Sequence, residues 1–189
     1  ALANCDCTLA QQTSNGYFRN NVFEPGWNAN THGIAYVLQG MLEIYCISKR
    51  EQYLQAVLRS TDSILARYEL EHRLASEIGQ NWEFLSSHVC LTGIAQLAII
   101  FFKLHEVTSD KRYLEAAISL LRDVSATQDI ESPAKPQFGG IKGSLPIYGR
   151  YAPLQYPNWA TKFYADALLA KHAETARSSD GIAPQLVAG

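Results

Sequence analysis

One stretch of this 189-residue chain repeats itself 60 positions further along, and this repeat limits the folds that the chain can adopt. Aligning Gly33 with Gly93 places GIAYVLQGMLEIYCISKREQYLQAVLRSTDSILA over GIAQLAIIFFKLHEVTSDKRYLEAAISLLRDVSA without a gap. Both copies begin with Gly-Ile-Ala and carry a Tyr-Leu pair about twenty residues later, starting at Tyr53 and Tyr113. A fixed period of this length is typical of proteins built from repeated supersecondary units.

Each copy is predicted to form two helices joined by a short polar turn. The first helices, predicted over 32–47 and 90–106, are apolar nearly all round, as expected of buried inner helices. The second helices, predicted over 51–68 and 110–127, alternate apolar and charged residues at helical spacing. That pattern indicates an outer layer with one face in solvent. A third inner helix is predicted over 158–174.

Long loops precede the inner helices and decide between two ways of stacking the hairpins. The segments 13–31, 75–88 and 129–157 are rich in Gly, Pro and Asn, and such long loops in compact helical domains are usually functional. The 60-residue period exceeds the periods of tetratricopeptide and HEAT repeats, which form open solenoids. Long loops can instead roof the central cavity of a closed ring. We therefore predict an all-α fold, an α/α toroid of repeated helical hairpins with long loops.

The predicted toroid is an incomplete barrel, because the chain is too short for a full six-hairpin ring. The sequence starts without Met, and the residues around 9–12 look like the end of a helix. We expect residues 1–189 to form a single domain. We also expect that domain to be a fragment, or the C-terminal domain, of a longer protein.

The composition excludes some classes of partner. The chain is 47% hydrophobic with a formal net charge of −2, and its Lys and Arg residues are scattered. The sequence therefore has no cluster of basic residues that would indicate nucleic-acid binding. The most apolar stretch, 94–102, is too short to span a bilayer and is predicted to lie in a core helix. We expect no membrane insertion.

The cysteines do not form a metal-site pattern. Cys46 and Cys90 stand in apolar helical contexts and are predicted to be small buried thiols. Cys5 and Cys7 flank an aspartate, but no second Cys/His pair follows at zinc-site spacing. A terpenoid cyclase, which shares the toroid, would need Asp-rich or zinc motifs for diphosphate, and the sequence has none. We expect no metal ion and no cofactor.

Polar and aromatic residues collect just before the three predicted inner helices. In a toroid, the loops before the inner helices and the N-termini of those helices meet at one end of the central cavity. Convergence of such groups on one concavity is the usual mark of a ligand site. The three segments supply the following candidates: Glu24, Trp27, Asn28 and His32 from the first, Glu83 and His88 from the second, and Tyr148, Arg150, Tyr151, Tyr156, Asn158 and Lys162 from the third.

Several of these residues have an alternative structural role. Asn158 is well placed to cap a helix. Trp27 precedes its helix, and tryptophan packs against protein more often than it binds a ligand. His32 and His88 both stand just before the shared Gly-Ile-Ala region. Packing and ligand binding both stay open for these two histidines.

The residue types favour proton abstraction next to a carboxylate over glycoside hydrolysis. A glycosidase needs two carboxylates facing each other across the scissile bond, and nothing in the sequence pairs Glu24 with Glu83. The guanidinium of Arg150 matches the two oxygens of a carboxylate, while phenols and a carboxylate can move protons. Uronates, the acidic sugars of many polysaccharides, present such a carboxylate. The same residues would also serve a cavity that binds carbohydrate without chemistry, and this alternative stays open.

Short motifs before the inner helices resemble the C-terminal helical domain of the D-glucuronyl C5-epimerases. The similarity covers about residues 20–170 and rests on Glu-Pro-Gly-Trp at 24–27, Cys-Leu-Thr-Gly at 90–93, Gly-Ser at 143–144, Ile-Tyr-Gly-Arg at 147–150 and Tyr156. Those enzymes belong to the α/α-toroid group, with many polysaccharide lyases and six-hairpin glycosidases. The run Tyr-Pro-Asn-Trp-Ala at 156–160 is also similar to helical domains beside bacterial polysaccharide deacetylases.

The resemblance implies roles for four of the candidate residues. It implies proton transfer by Glu83, Tyr148 and Tyr156, and binding of the uronate carboxylate by Arg150. The chain departs from the family in a Tyr-to-Arg spacing that is one residue shorter and in a shorter loop between Glu83 and Gly93. The epimerases carry a β-rich domain before the helical one, so the resemblance also implies a missing N-terminal domain. The partner it implies is a polysaccharide or oligosaccharide.

Overall fold

The computed structural model describes residues 2–131 and 133–180. The predicted domain 1–189 therefore includes residues that lie outside the described ones, namely 1, 132 and 181–189. In chain order the elements are α1 (Leu2–Leu9), β1 (Ala29–Asn30), α2 (Thr31–Ser48), α3 (Glu51–Glu71), β2 (Glu77–Ile78), β3 (Val89–Cys90), α4 (Leu91–Thr108), α5 (Lys111–Ser125), β4 (Ser144–Leu145) and α6 (Asn158–Asp180).

The two copies of the repeat contain the same helices at matching positions. α2 and α4 start 60 positions apart, and so do α3 and α5. α2 and α4 also end alike, because Lys49 and Ser109 adopt the left-handed conformation with φ of 56° and 61°. At each end the cap N–H donates to a carbonyl one turn earlier, on Tyr45 and His105. The predicted hairpins are confirmed, and α6 confirms the third inner helix.

The inner layer consists of α2, α4 and α6, with α4 between the other two. α4 is buried on nearly every side, because α2 and α6 flank it and α5 covers it from outside. By length and composition only, α4 is long and apolar enough to cross a membrane, with a mean hydropathy of 1.2. However, 67% of this window is buried inside the protein, as expected of a core helix. The core helix predicted around 94–102 is therefore confirmed, although its apolar window is longer than that run.

The outer layer is joined by a hydrogen bond that recurs from one copy to the next. In the second copy the Tyr113 hydroxyl on α5 donates to Asp62 Oδ1 on α3, at 2.8 Å. In the first copy the equivalent Tyr53 hydroxyl on α3 donates to Asp6 Oδ1 on α1, at 2.6 Å. α1 therefore stands against α3 as α3 stands against α5. The architecture is all-α, an incomplete α/α toroid with α1, α3 and α5 outside.

At Gly93, α4 comes into close contact with the start of α2. A Cβ atom at this position would lie 2.7 Å from the amide nitrogen of His32 and 2.9 Å from the carbonyl carbon of Thr31. Backbone atoms cannot yield as a flexible side chain can, so only glycine fits. At the equivalent Gly33, the nearest atom would be Oδ1 of the Asn21 side chain, at 3.4 Å. The repeated glycine is therefore required by packing in the second copy.

Two short antiparallel ladders hold the long loops at the N-terminal ends of the inner helices. β1 pairs with β2, which sets Asn30 opposite Glu77. β3 pairs with β4, which sets Cys90 opposite Ser144. Each ladder joins the residues immediately before an inner helix to a loop that is distant in the sequence. Backbone pairing thus brings the three long loops to one end of the helical layers.

Candidate functional site

A small open cavity lies where the loops meet the start of α2. It has a volume of about 70 Å³ and is bordered by the loop before α2, by β1 and β2, and by the loop before α6. We call it the loop cavity. Its lining residues are Phe23, Trp27, Asn28, Asn30, Glu77, Arg150 and Tyr151.

A carboxylate with little exposure forms part of the loop cavity wall. Glu77 is 9% exposed, and its Oε2 accepts a hydrogen bond from Asn28 Nδ2 at 2.8 Å. Its Oε1 lies 3.4 Å from Nη1 of Arg150, in an ion pair. The position of Glu77 follows from the β1–β2 ladder, which sets it opposite Asn30. These contacts supply the partners that a buried charge needs.

Asn30 connects the loop cavity to the start of α2. Its side-chain oxygen caps the helix by accepting a hydrogen bond from the backbone N–H of His32, at 2.9 Å. Its Nδ2 donates to the Ser76 hydroxyl at 2.9 Å. Both ends of the amide are therefore engaged within the protein. Asn30 fixes the shape of the cavity, and its cap is the usual way to satisfy a free N–H at a helix start.

The open side of the loop cavity carries an exposed aromatic ring. Trp27 is 55% exposed, and the guanidinium carbon of Arg150 lies 5.7 Å from the centroid of its ring. This is cation–π distance, so Arg150 is held between the indole and the Glu77 carboxylate. An exposed indole beside a guanidinium, a carboxylate and an amide offers both stacking and planar hydrogen bonding. Such a mixed surface suits a ligand with an apolar face and polar edges.

His32 lies behind the cavity at the start of α2, in an aromatic cluster. Its ring is 5% exposed and contacts Tyr36 at 4.5 Å and Tyr151 at 5.5 Å between ring centroids. Its Nδ1 lies 2.8 Å from Gln96 Oε1, and the Gln96 amide nitrogen donates to Gln39. Because Oε1 is the acceptor end of that amide, Nδ1 of His32 carries the proton and Nε2 is the basic nitrogen. Burial lowers the pKa of His32, although the Gln96 hydrogen bond opposes this effect.

Tyr151 separates the loop cavity from His32. Its hydroxyl accepts a hydrogen bond from Trp159 Nε1 at 2.8 Å. Burial, and secondarily the nearby Cys90, raises the pKa of Tyr151 to about 12. The phenol is therefore protonated at neutral pH. The side chain of Tyr151 lines the loop cavity, while its hydroxyl bonds to a residue of the neighbouring α6.

A shallow groove continues past this cluster between α2 and α6. It has a volume of about 410 Å³, and its lining includes Tyr36, Trp159, Lys162 and Phe163. Lys162 lies 2.6 Å from the Asp166 carboxylate, one turn along α6, and its Nζ is 4.4 Å from the Phe163 ring centroid. The groove is thus another aromatic and charged surface beside the loop cavity.

The structure brings four of the predicted residues together in the loop cavity: Trp27, Asn28, Arg150 and Tyr151. His32 lies directly behind them, and Lys162 lines the neighbouring groove. These six residues come from the first and third of the predicted loop-and-helix segments.

Glu83 lies outside the loop cavity, in the turn that follows β2. It is exposed, its Oε2 accepts a hydrogen bond from the Asn81 N–H at 2.8 Å, and its carboxyl packs against Gly79. The N–H of Gly79 donates to the Glu83 carbonyl at 2.9 Å, which closes the turn. The side chain therefore folds back over its own loop. The predicted catalytic role of Glu83 has no support from this placement.

Tyr148 and Tyr156 also lie outside the lining of the loop cavity. Tyr148 is 73% exposed. Tyr156 is half-buried and packs against Gly140, where an added Cβ atom would lie 3.1 Å from the tyrosine Cδ1. The expected meeting of His32, Glu83 and Tyr156 at one hollow is therefore not found. Tyr148 and Tyr156 belong to the same loop as Tyr151, which does line the cavity. They lie apart from it because a loop without regular secondary structure does not place neighbouring side chains on one face.

Three predicted binding residues stand apart from the lining as well. Glu24 is exposed, and its carbonyl accepts a hydrogen bond from the Trp27 N–H at 3.1 Å. His88 is half-buried beside Gly149, and among the described side chains its Nε2 has no hydrogen-bond partner. Asn158 is exposed at the first position of α6. Their binding roles stay predictions.

Three residues line the cavity but are not among the candidate site residues predicted from the sequence: Phe23, Asn30 and Glu77. The available signal for Glu77 is weak: Ser76 and Glu77 are polar residues between Ala75 and Ile78, directly after an outer helix. All four are buried, which is typical of a short paired strand. Only the pairing with β1 reveals this, and the pairing joins residues far apart in the sequence.

The described residues contain no group of three or more His, Cys, Asp or Glu side chains that could hold a metal ion. The cysteines are free. Cys90 is buried at the start of α4, where its Sγ accepts a hydrogen bond from the Gly93 N–H at 3.4 Å and burial raises the thiol pKa to about 12. The predicted buried thiol is confirmed for Cys90, whereas Cys46 is only half-buried.

Comparison with known proteins identifies a structural likeness. No protein-family model and no curated protein sequence matches the chain. Among solved structures, the chain is similar to the cellobiose 2-epimerase from Spirochaeta thermophila DSM 6192, with a TM-score of 0.55 and 16% sequence identity. The match covers 80% of this chain and 37% of that one, so the chain spans less than half the length of that enzyme. At this identity the likeness shows the fold alone, an α/α toroid.

Proposed function

We propose that this chain is the sugar-binding part of a carbohydrate-active enzyme of the epimerase-like kind, with the sugar bound at the loop cavity. One observation carries the proposal: the exposed indole of Trp27 stands beside Arg150, which is itself paired with Glu77. The cavity, at about 70 Å³, is small. A sugar ring therefore rests on the indole across the mouth, and its substituents reach the polar residues inside.

The structural likeness supports the carbohydrate part of this proposal. The similar protein is named an epimerase of cellobiose, a sugar, and it shares the toroid fold with this chain. The match covers 37% of that protein, so the likeness extends over only part of that enzyme. Enzymes that share a fold need not share a substrate, because the residues of the site decide which substrate binds.

Arg150 makes a uronate the substrate class that we propose. Its ion pair with Glu77, at 3.4 Å, is longer than a direct charge-assisted hydrogen bond of about 2.8 Å. The guanidinium is also exposed and carries five N–H donors, so it retains donors for a ligand. A sugar carboxylate would take these donors while the ring stacks on Trp27. The carboxylate clamp inferred from the sequence thus keeps its place in the proposal.

Proton abstraction next to that carboxylate is the proposed chemistry, with Glu77 as the base. Glu77 takes the proton from C5, and the electron pair moves into the carboxylate, where Arg150 neutralises the enolate charge. Return of a proton from the Tyr151 phenol to the opposite face gives the C5 epimer. Cleavage of the C4–O bond instead, with the Tyr151 phenol giving its proton to the leaving oxygen, yields the unsaturated product of a lyase. The proposed reaction assigns no role to Glu83, Tyr148 or Tyr156, because these residues lie outside the cavity lining.

Binding without chemistry is the second candidate function. It is favoured by the separation of Glu83, Tyr148 and Tyr156 from the loop cavity, since the resemblance that motivates catalysis depends on those three residues. In this alternative the chain is a carbohydrate-binding accessory domain of a polysaccharide biosynthesis or modification system, and Trp27 and Arg150 hold the sugar.

Deuterium exchange distinguishes these possibilities. The protein is incubated in D₂O with glucuronate oligosaccharides and, separately, with cellobiose, and the sugars are examined by NMR. Deuterium at C5 of the uronate supports the proposed reaction. Exchange at C2 of cellobiose alone keeps an epimerase but removes the uronate assignment. Binding without exchange supports the accessory domain, and failure to bind either sugar overturns the proposed function.

A matched pair of variants tests which glutamate matters. We expect Glu77→Gln to lower the exchange rate about 100-fold or more, because it removes the proposed base. The same change at Glu83 is the control and should leave the rate within about twofold of wild type. Trp27→Ala should weaken sugar binding about tenfold or more through loss of the stacking surface. A large loss with Glu83→Gln and none with Glu77→Gln would restore the assignment made from the sequence.

A further inference from the structure

We propose that a second cavity, beside the outer helices, binds a small organic anion with an aliphatic body. This cavity has a volume of about 440 Å³, and we call it the outer cavity. It lies between the segments that follow α3 and α5, the start of α4 and the β3–β4 ladder. It shares no lining residue with the loop cavity.

The floor of the outer cavity is aliphatic. Leu74, Leu91 and Ile94 line it and are almost fully buried, and Leu145 of β4 forms an exposed edge. Binding of a hydrocarbon chain against this floor removes apolar area from water, and the favourable free energy is proportional to that area. It carries no exposed ring like the Trp27 indole of the loop cavity. The lining therefore suits an alkyl group better than a sugar.

Two cations at the wall of this cavity have no carboxylate partner among the described residues. Arg73 is half-buried, donates a long hydrogen bond of 3.4 Å to the Ser86 carbonyl, and lies over the Phe84 ring at 5.4 Å. Lys142 is half-buried and forms no hydrogen bond or ion pair within the described part of the chain. Cations in partly buried positions usually have an anionic partner, because desolvation is otherwise uncompensated.

One carboxylate also lines the outer cavity, and it is already engaged. Asp123 accepts a hydrogen bond from the Tyr68 hydroxyl at 2.8 Å and forms no ion pair with Arg73 or Lys142. His72 is the remaining titratable lining residue. With His72 neutral, two positive charges face one negative charge, which leaves an excess of one positive charge. One carboxylate balances that charge, and a phosphate monoester, with about 1.5 to 2 negative charges, more than balances it. In either case the alkyl body of the ligand covers the floor.

Calorimetric titration with simple amphiphiles tests this site. The probes are octanoate, octyl phosphate, 1-octanol and acetate, all below their aggregation concentrations. We expect octanoate or octyl phosphate to bind, with 1-octanol and acetate at least about tenfold weaker, since each lacks one of the two groups. The order of octanoate and octyl phosphate separates a carboxylate from a phosphate ligand. Equal binding of octanoate and 1-octanol, or no binding of either anion, would overturn the proposal.

Variants at Lys142 connect the binding to this cavity. Lys142→Gln should weaken the anion about tenfold, and Lys142→Arg should keep most of the affinity by preserving the charge. Lys111→Gln, at the exposed start of α5 and outside the lining, is the matched control and should bind as wild type does. Thermal unfolding of each variant checks that the fold is intact. Unchanged affinity in Lys142→Gln would place the anion elsewhere and end the proposal, whatever the outcome at the loop cavity.

Discussion

A single hydrogen atom at Gly93 sets the distance between two inner helices. An added Cβ atom there would meet the backbone of Thr31 and His32, at the very point where α2 starts. His32 is in turn the residue that joins the aromatic cluster to the Gln96 amide on α4. The tight contact at Gly93 and the placement of His32 behind the loop cavity are therefore parts of one packing arrangement.

Replacing Gly93 by alanine should destabilise the protein. We expect Gly93→Ala to lower the free energy of unfolding by about 1–3 kcal/mol, because backbone atoms must shift to admit the methyl group. Gly40→Ala is the matched control, since Gly40 lies within α2 and a Cβ atom there meets nothing within 4 Å. It should raise stability by about 0.5–1 kcal/mol. Urea unfolding measures both, and equal effects would show that the contact at Gly93 is unimportant.

Protonation of His32 should make the fold less stable in mild acid. Burial lowers the pKa of His32 in the folded state, whereas an unfolded histidine titrates near about 6.5. As the pH falls through that value, the unfolded chain binds a proton that the folded protein does not. The free energy of unfolding therefore decreases, by no more than about 1.4 kcal/mol per pH unit from this one group.

The variant His32→Gln removes that contribution. Its free energy of unfolding should change less than that of wild type between about pH 7 and about pH 5. Urea unfolding at several pH values measures the two slopes. Parallel curves for the two proteins would mean that His32 does not titrate differently in the folded and unfolded states.

At the scale of the element, the two outer helices begin in different ways despite the repeat. α5 is capped by Asp110, whose side chain accepts a hydrogen bond from the Arg112 N–H at 2.9 Å. At the equivalent position before α3 stands Arg50, which provides no side-chain cap. Its backbone is extended, as a capping residue requires, so the position lacks only the acceptor. The repeat therefore identifies a place where the first copy is less stable than it could be.

Exchanging caps between the copies gives a test. Arg50→Ser should raise the free energy of unfolding by about 0.5–1 kcal/mol by capping α3. Arg50→Ala removes the arginine without adding a cap, so it should give no such gain. Asp110→Ala should cost about 0.5–2 kcal/mol. Equal unfolding free energies for the Ser and Ala variants at position 50 would contradict the comparison between the copies.

Across the whole molecule, the recurring Tyr–Asp hydrogen bond defines the order of the outer layer. Tyr53 reaches Asp6 on α1, and Tyr113 reaches Asp62 on α3. Burial, followed by the bond to Asp62, raises the pKa of Tyr113 to about 12. α1 is short, yet it contributes the same acceptor as the much longer α3. Its contact with Tyr53 makes it part of the outer layer rather than a separate N-terminal segment.

Coupling between the two partners of this bond can be measured. Tyr113→Phe should lower the free energy of unfolding by about 1 kcal/mol. In a double-mutant cycle with Asp62→Ala, we expect a coupling energy of about 1 kcal/mol, because the pair is in direct contact. The cycle of Tyr113→Phe with Asp6→Ala is the control, since Asp6 bonds to Tyr53 instead. Coupling of the same size in both cycles would contradict a local bond.

The fold was accessible from the sequence to a greater degree than the site. The helices follow from apolar periodicity and from an ungapped repeat. Both features can be recognised in the sequence without knowledge of tertiary contacts. Trp27 and Arg150 were predictable because they stand close before inner helices. Glu77 was not, since a two-residue ladder between distant loops places it, and Glu83 is turned away by a hydrogen bond within its own loop. Site geometry thus depends on non-local pairing that composition does not record.

The two residues of β4 have an implication for how this segment tolerates change in length. Ser144 is buried and its hydroxyl donates to the Tyr151 carbonyl at 2.6 Å, whereas Leu145 edges the outer cavity. Adjacent strand residues face opposite sides, so inserting or deleting one amino acid ahead of Ser144 would exchange those sides. Such an indel would disturb both cavities at once, while a substitution at either position would disturb one. Homologous chains that keep both cavities should therefore differ here in residue identity before they differ in the number of residues.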